Sequence, residues 1–288
     1  MKRHALVPTD PGLMARMVVA AVVTPLIVLA GLVLVVLEAP AKVIFFTAIA
    51  SLVGIGAALK ERDRQPRGKV VSESEEPALH AIVERLCLLA DLPKPEIVIE
   101  AERMPNSWVV GTRARGHRLH LTRGLLDRLD PHELEAVIAH ELAHVANRDA
   151  AVMTVVGGPG AVLLEGGRKI FGGGWFIWPG AIAAMAIGWV GSLGTRALSR
   201  YREFAADAGS VALTGSAAAL ASALMKVSEG IGAIPEKDLR LEAARDAFHL
   251  LPVARDGEDR FHLPATHPSL EARIARLEKL EHALQRAR

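Results

Sequence analysis

The chain has little cysteine and almost no net charge. Its 288 residues include a single cysteine, Cys87, which excludes an internal disulfide and fits a reducing compartment. Cys87 lies in a helical apolar pattern, where we expect a buried structural thiol. Lysine and arginine (34) nearly balance aspartate and glutamate (32). Because nucleic-acid binding needs a concentrated basic face, we predict no nucleic-acid partner.

Apolar residues are abundant and are separated from the charged ones. A hydrophobic content of 51% and a mean hydropathy of +0.27 exceed those of most soluble proteins, yet 23% of residues are charged. Residues 13–37 contain one charge, Arg16, and are long enough to cross about 30 Å of hydrocarbon as a helix. The run is longer than the roughly 7 to 15 apolar residues of a signal peptide, so it predicts a membrane span.

A second apolar run, residues 43–59, follows a tight turn at Pro40 and predicts a helical hairpin. The turn holds only Lys42. Basic residues flank the pair instead, at Lys2, Arg3, Arg16, Lys60, Arg62, Arg64, Arg67 and Lys69. By the positive-inside rule both ends face the cytoplasm. We therefore expect a multi-pass protein of the cell inner or plasma membrane, with the lipid bilayer as a partner.

Two further apolar runs, residues 150–164 and 175–193, are separated by "EGGRKIFGGG". They favour a second transmembrane hairpin over a re-entrant or membrane-surface hairpin. The spans lack embedded ionisable residues, since Arg16 and Glu165 lie near span ends. A transporter is therefore disfavoured.

The polar remainder predicts a water-facing domain with a helix and a small antiparallel sheet. Residues 76–91 have apolar residues at helical spacing, and three short runs (96–101, 107–112 and 117–122) are typical of strands. The alternation in the third run predicts that His117 and His120 are solvent-exposed strand residues, against the alternative that they are ligands.

A second helix begins at Asp130. This residue is expected at the N-cap, with Pro131 at the first helical position and Glu133 completing a capping box. His132 and Glu133 precede Ala136 instead of a second histidine, so we interpret them as a first-turn surface pair.

This helix carries the sequence "HELAH", residues 140–144. His140 and His144 are four apart and share a helix face, so both imidazoles can bind one ion. Glu141 lies one step around, where its carboxylate can take a proton from the nucleophilic water without occupying the metal. The alternative is two surface histidines beside a glutamate.

A catalytic zinc needs a third protein ligand. The segment "SRYREFAADAGS" places Glu203 and Asp207 on one helix face. Glu203 is the candidate ligand, and Asp207 can accept a hydrogen bond from a ligating histidine. Alone, such a pair is more typical of a solvated face. His144 and Glu203 must lie on one side of the membrane, which two intervening spans allow.

These residues resemble the HtpX-type integral-membrane zinc metalloproteases, gluzincin-like relatives of the CAAX prenyl endopeptidases. The resemblance rests on "HELAHVANRD", "SRYREFAAD", "MPNSWVVGT", "THPSLEARIARL" and the order of the apolar runs. It implies that His140, His144 and Glu203 bind zinc, that Glu141 is the catalytic base and that Asp207 supports a ligand.

The resemblance also implies roles for two further residues. Asn106 is expected near a substrate-binding edge strand, where an extended peptide can pair with the sheet. His267, in a His-Pro motif, is expected to stabilise the developing oxyanion or gate access, against the alternative of a turn histidine. One departure concerns Ser107 and Trp108, which stand where the family usually has an Asn-Ala-Phe type pattern.

The resemblance predicts an α+β, mainly α-helical fold: transmembrane helical hairpins plus a zincin-like cytoplasmic domain with a small antiparallel sheet. The expected segments are an N-terminal transmembrane hairpin (1–63), the first part of the catalytic domain (64–149), a second hydrophobic hairpin (150–194) and the second part of the catalytic domain (195–288). The C-terminal apolar residues Leu270, Ile274, Leu277 and Leu284 predict an amphipathic docking helix.

The predicted function is that of a membrane-bound zinc endopeptidase that cleaves damaged or misfolded membrane proteins in quality control. The alternative is a catalytically inactive zinc-binding membrane scaffold or adaptor. Such a protein needs a closed fourth ligand, for which Cys87 and His267 are the candidates.

Overall fold

The computed structural model describes residues 10–38, 40–62, 68–112, 116–171, 175–232 and 267–287. The fold is mainly helical with one small sheet, as the sequence predicts. The helices are α1 (Pro11–Glu38), α2 (Ala41–Arg62), α3 (Pro77–Ala90), α4 (Arg123–Leu126), α5 (Pro131–Ala146), α6 (Asp149–Ile170), α7 (Trp178–Thr214), α8 (Ala217–Gly232) and α9 (Leu270–Ala287). The strands are β1 (Lys69–Val70), β2 (Glu96–Glu100), β3 (Ser107–Thr112) and β4 (Gly116–Thr122).

The chain divides into two compact units. We call Met1–Asp10, Arg67–Asp149 and Arg202–Arg288 the sheet unit, because it contains the four strands. We call Pro11–Pro66 and Ala150–Tyr201 the helical unit. The division falls where the composition changes, since the helical unit takes up the apolar runs of the sequence.

The sheet has the strand order β1-β2-β4-β3 and is mixed, so the predicted antiparallel sheet is wrong in this respect. β1 with β2 and β3 with β4 are antiparallel, whereas β2 and β4 are parallel. After β2 the chain reverses direction and forms β3 at the sheet edge. It then reverses again and forms β4, which lies between β2 and β3. Two reversals of direction make β4 parallel to β2.

One face of the sheet packs against α3 and α5 in a core that α8 and α9 complete. This core contains, among others, Leu86, Ile97, Leu121, Ile138, Leu224 and Leu277. The other face is buried too: His120 is 2% exposed and stacks on Trp108, with ring centroids 5.0 Å apart. The prediction that His120 is solvent-exposed is therefore wrong, because alternation along the strand separates two buried faces. His117 is half-buried.

The start of α5 forms as predicted. The Asp130 side chain accepts hydrogen bonds from the backbone N–H groups of His132 and Glu133, and the Glu133 carboxylate accepts one from the backbone of Asp130. Glu133 is 3% exposed and also accepts bonds from Ser222 and Lys226, so it is not the surface residue expected from the sequence. A buried capping carboxylate needs these additional donors.

The helical unit consists of α1, α2 and most of α6 and α7. Among the described residues, Pro11–Leu37, Asp149–Ile170 and Trp175–Thr214 are long and apolar enough to cross a membrane, and Ala41–Ile55 is a shorter apolar helix. Many apolar side chains of α1 point outward; Leu37, for example, is 72% exposed. Such a surface is unfavourable in water and suits lipid contact.

Candidate metal centre

Helix α5 brings both histidines of the "HELAH" sequence to one point. The Nε2 atoms of His140 and His144 lie 3.1 Å apart, and the two rings are nearly perpendicular at 89°. His140 is 1% exposed and Glu141 is 5% exposed, whereas His144 is partly accessible. Two imidazole nitrogens therefore point to one position, and the site is accessible on the His144 side. This arrangement suits a metal that also binds substrate.

Glu203 on α7 lies against the same position. Its Oε2 is 3.5 Å from His140 Nε2, and its Oε1 is 3.6 Å from His144 Nε2. One donor atom from each of these three residues lies within 4.8 Å of the other two. Two imidazoles and one carboxylate are a donor set that zinc accepts, so the residues present fit the metal that the sequence predicts.

The approach of α7 to α5 depends on small residues. A Cβ added to Gly209 of α7 would lie 2.6 Å from the Cβ of Ala143 on α5, closer than real side chains approach. The next residue of α7 adds a hydrogen bond: Ser210 Oγ donates over 2.7 Å to the carbonyl of Ala136, which lies two turns before Ala143 on α5. Gly209 therefore permits the helix separation at which Glu203 reaches the histidines.

Each histidine is held by a carboxylate at its other ring nitrogen. Asp207 Oδ1 lies 3.0 Å from His140 Nδ1, and Asp149 Oδ2 lies 2.6 Å from His144 Nδ1. A carboxylate at Nδ1 fixes the tautomer that leaves Nε2 for a metal. The sequence predicts this position for Asp207 but not for Asp149.

Two buried arginines hold these carboxylates in turn. Arg273 on α9 is fully buried and donates to Asp207 through Nε (3.0 Å) and Nη2 (2.5 Å). Its Nη1 lies 3.5 Å from Glu203 Oε2. Arg202 pairs with Asp149 and donates to the Asn147 carbonyl over 3.1 Å. The bidentate pair of Arg273 with Asp207 restricts that carboxylate to one geometry.

The protonation of the site follows from burial and these charges. Burial disfavours the charged form of His140, but hydrogen bonds to Asp207 and Glu203 outweigh it and raise the pKa of His140 to about 9. Burial lowers the pKa of His144 below its ordinary value. Burial also disfavours the Arg273 guanidinium, yet Asp207 and Glu203 raise its pKa. A cation that binds Nε2 must therefore displace the proton that His140 holds without it.

Glu141 points toward β3. Its Oε1 accepts a hydrogen bond from Ser107 Oγ over 2.7 Å, and Ser107 is 1% exposed. The predicted site residue Asn106 directly precedes Ser107 and is 5% exposed. The Asn106 backbone N–H donates to Thr122 Oγ1 over 2.9 Å, and its carbonyl accepts from the Thr122 N–H over 3.1 Å.

His267 also lies at this centre. Its Nδ1 is 3.6 Å from Glu203 Oε1, and the residue is 7% exposed. Cys87 is buried in α3, where its Sγ lies 4.0 Å from the Pro93 carbonyl. Among the described residues, the group of potential metal ligands at the centre contains histidine and glutamate and no thiol. The structure therefore brings together five predicted residues: His140, His144, Glu203, Asp207 and His267.

Sequence reasoning did not find Asp149, Arg202, Arg273 or Ser107. A usable signal existed for Arg273, because it lies on the same helix face as Leu270 and Leu277. A charge on an apolar face indicates a buried ion pair. Asp149 follows His144 by five residues across a helix break, a spacing that indicates no contact by itself.

A buried helix with two histidines, a second helix with a glutamate and carboxylates behind both rings define a site of the metallopeptidase class. The family model described as Peptidase family M48 matches residues 73–281. The chain belongs to this family, as the resemblance predicts. It is accordingly a peptidase of a metalloprotease family and is membrane-bound.

Similar proteins include two with closely matching lengths. The chain is 42% identical over 229 residues to Protease HtpX homolog 2 of Methanosarcina mazei, covering 75% of this chain and 76% of that protein. It is 43% identical over 237 residues to a Protease HtpX homolog of Moorella thermoacetica, covering 76% and 77%. A crystal structure of S. mikatae Ste24p matches with a TM-score of 0.48 and 16% identity, over 91% of this chain and 64% of that one.

Proposed function

We propose that the protein is a zinc-dependent endopeptidase in which His140, His144 and Glu203 hold the metal. The observation that carries this proposal is the convergence of two Nε2 atoms, 3.1 Å apart, with the Glu203 carboxylate beside both. Nitrogen and oxygen donors of this kind favour zinc over the hard cations, which prefer oxygen alone.

The residues around the metal have different roles in peptide hydrolysis. Zinc held by His140, His144 and Glu203 would supply a Lewis acid for the scissile carbonyl. Glu141 takes a proton from the attacking water and delivers it to the leaving amine. Asp207 and Asp149 hold the histidine rings in the tautomer that leaves Nε2 for the metal. His267, at the same centre, stabilises the oxyanion that develops on the carbonyl.

Substrate binds in extended form along β3, an edge strand of the sheet. Asn106 directs its backbone groups to Thr122 on β4, so the alternation of an antiparallel pair directs those of Ser107 away from β4. An extended peptide can pair with this edge. We thus propose that Asn106 positions the start of β3, and that the main-chain groups of Ser107 form hydrogen bonds with the substrate peptide.

The helical unit anchors the enzyme in the bilayer, with α6 and α7 as spanning helices. Close contacts between small residues support this assignment, as a Cβ on Gly188 of α7 would lie 2.6 Å from the Gly160 carbonyl of α6. Small residues at helix crossings are typical of membrane bundles. Basic residues near span ends, among them Arg16, Arg148 and Arg196, favour a cytoplasmic sheet unit.

Damaged or misfolded membrane proteins are the proposed substrates. Edge-strand binding requires an extended segment, which a folded protein rarely offers and a damaged one exposes. An enzyme anchored in the bilayer meets membrane proteins at high local concentration. Purified enzyme should therefore cleave a misfolded membrane protein faster than the same protein in its folded state; equal rates would contradict this substrate class.

The catalytic proposal is tested with Glu141→Gln in the purified full chain. We expect zinc content equal to wild type and peptide cleavage lower by several orders of magnitude. Retained cleavage by zinc-bound Glu141→Gln would contradict the mechanism. If wild type binds zinc but cleaves no substrate, the inactive scaffold is the better description.

Topology is tested by fusing, after Phe171, a phosphatase that is active only outside the cytoplasm. If α6 spans the membrane, the fusion should be active. An inactive fusion would contradict the span.

A further inference from the structure

Ser107 makes a contact with Glu141 that the proposed chemistry does not yet use. The Ser107 hydroxyl donates to Glu141 Oε1 over 2.7 Å, and the two residues are 1% and 5% exposed. The bond is charge-assisted when the carboxylate is ionised, so it is stronger than a bond between neutral groups. It joins the first residue of β3 to the residue beside His140.

The strand register determines where the Ser107 hydroxyl points. Ser107 pairs with Leu121 of β4, and Leu121 lies in the core between the sheet and α5. Residues opposite each other on paired strands share a face, so the Ser107 side chain also points toward α5. Its main-chain groups meanwhile point away from β4, on the outer side of the edge strand β3. One residue thus connects the edge strand with Glu141.

We propose that Ser107 is a positioning residue for Glu141. Its hydroxyl holds Oε1 of the carboxylate and leaves Oε2 to receive the proton from water. Without this bond the Glu141 side chain can rotate to other orientations, and the fraction of molecules with a productive carboxylate falls. The inference rests on the proposed function, in which Glu141 is the base.

The structure supplies a matched control on the same helix. Ser222 Oγ donates to Glu133 Oε1 over 2.6 Å, again a serine hydroxyl on a buried glutamate of α5. Glu133 caps the helix and is seven residues before His140. Ser222→Ala removes the same type of bond from the same helix without touching Glu141.

The experiment compares wild type, Ser107→Ala and Ser222→Ala as purified full-length zinc enzymes. For Ser107→Ala we expect a fall in kcat on the order of tenfold, from the loss of one charge-assisted hydrogen bond, with KM and zinc content unchanged. Ser222→Ala should keep the wild-type kcat. Should the alanine variant fold poorly, Ser107→Cys keeps the side-chain shape with a larger atom and a weaker donor and should also lower kcat.

A second readout does not depend on activity. Crystal structures of the metal-free proteins should show one Glu141 orientation in wild type. In Ser107→Ala the Glu141 carboxylate should be displaced or occupy two conformers. A wild-type kcat in Ser107→Ala, an equal fall in Ser222→Ala or an unmoved Glu141 would each overturn the positioning role. Those three results overturn the positioning role alone. Absence of zinc-dependent cleavage in wild type would overturn the proposed function as well, so the two failures are distinguishable.

Discussion

The His144 ring and the Asp149 carboxylate meet across a helix break, with Nδ1 and Oδ2 2.6 Å apart. Arg148 between α5 and α6 adopts a left-handed conformation, with φ of 56°. This turn ends α5 and returns Asp149, the first residue of α6, to the histidine one turn back. A local backbone conformation thus supplies the carboxylate that orients a metal-binding ring.

Asp149→Asn is predicted to weaken zinc binding by about 10- to 100-fold, because the amide holds the His144 tautomer less firmly than the carboxylate does. Zinc affinity is measured by competition with a chromophoric chelator. Asp127→Asn, an exposed aspartate of the sheet unit, serves as the control and should bind zinc like wild type. Equal affinities in both variants would show that Asp149 does not support the ligand.

Arg273→Met is predicted to lower the free energy of unfolding by about 3–5 kcal/mol, since it leaves the buried carboxylates of Asp207 and Glu203 without their cation. Chemical unfolding of zinc-free protein in detergent gives the measurement. Arg276→Ala on the same helix removes a pair with Asp10 at a half-exposed position, and should cost under about 1 kcal/mol. Similar losses in both would contradict a special role for Arg273.

The sequence was sufficient for features that depend on local pattern. The capping box at Asp130, the helical spacing of His140 and His144 and the spacing of Glu203 and Asp207 all follow from one helix at a time. Each of these side chains lies where its own helix places it. Periodicity and end signals act over a few residues, so the sequence records them directly.

Features that depend on tertiary approach were not predictable in this way. The contact of Ser107 with Glu141 requires β3 to lie beside α5, and the contact of Arg273 with Asp207 requires α9 to dock on α7. The burial of His120 depends on what covers the second sheet face. Short-range patterns do not show which elements become neighbours. The apolar helix face that carries Arg273 indicated a buried ion pair but not its partner, and Ser107 and His120 had no such signal.

Cys87 is predicted to react slowly with thiol reagents in the native protein. Burial raises the pKa of its thiol to about 11, so only about one molecule in a thousand holds the reactive thiolate at pH 8. Labelling should quicken about tenfold per pH unit below 11 and become fast on unfolding. The control is Glu73→Cys in a Cys87→Ala background, an exposed thiol that should label at once. Thiolate-to-metal absorption in cobalt-loaded protein would contradict this assignment and favour the scaffold alternative.

Gly209→Ala is predicted to damage the metal centre, although alanine is the better helix former. The new Cβ would lie 2.6 Å from the Ala143 Cβ, and neither atom can rotate away, so α7 must move from α5. We expect a loss of about 1–3 kcal/mol in stability, as in other overpacked cores, and weaker zinc binding because Glu203 moves with the helix.

The partner substitution tests this cause directly. Ala143→Gly removes the atom that the new Cβ meets, so the double variant Gly209→Ala with Ala143→Gly should recover zinc affinity. The glycine inside α5 costs about 1 kcal/mol relative to alanine, and the alanine inside α7 gains a similar amount, so the stability of the double variant should approach that of wild type. Ala143→Gly alone gives that cost separately. Zinc affinity that stays low in the double variant would mean that something other than helix separation positions Glu203, and the role assigned to Gly209 would fall.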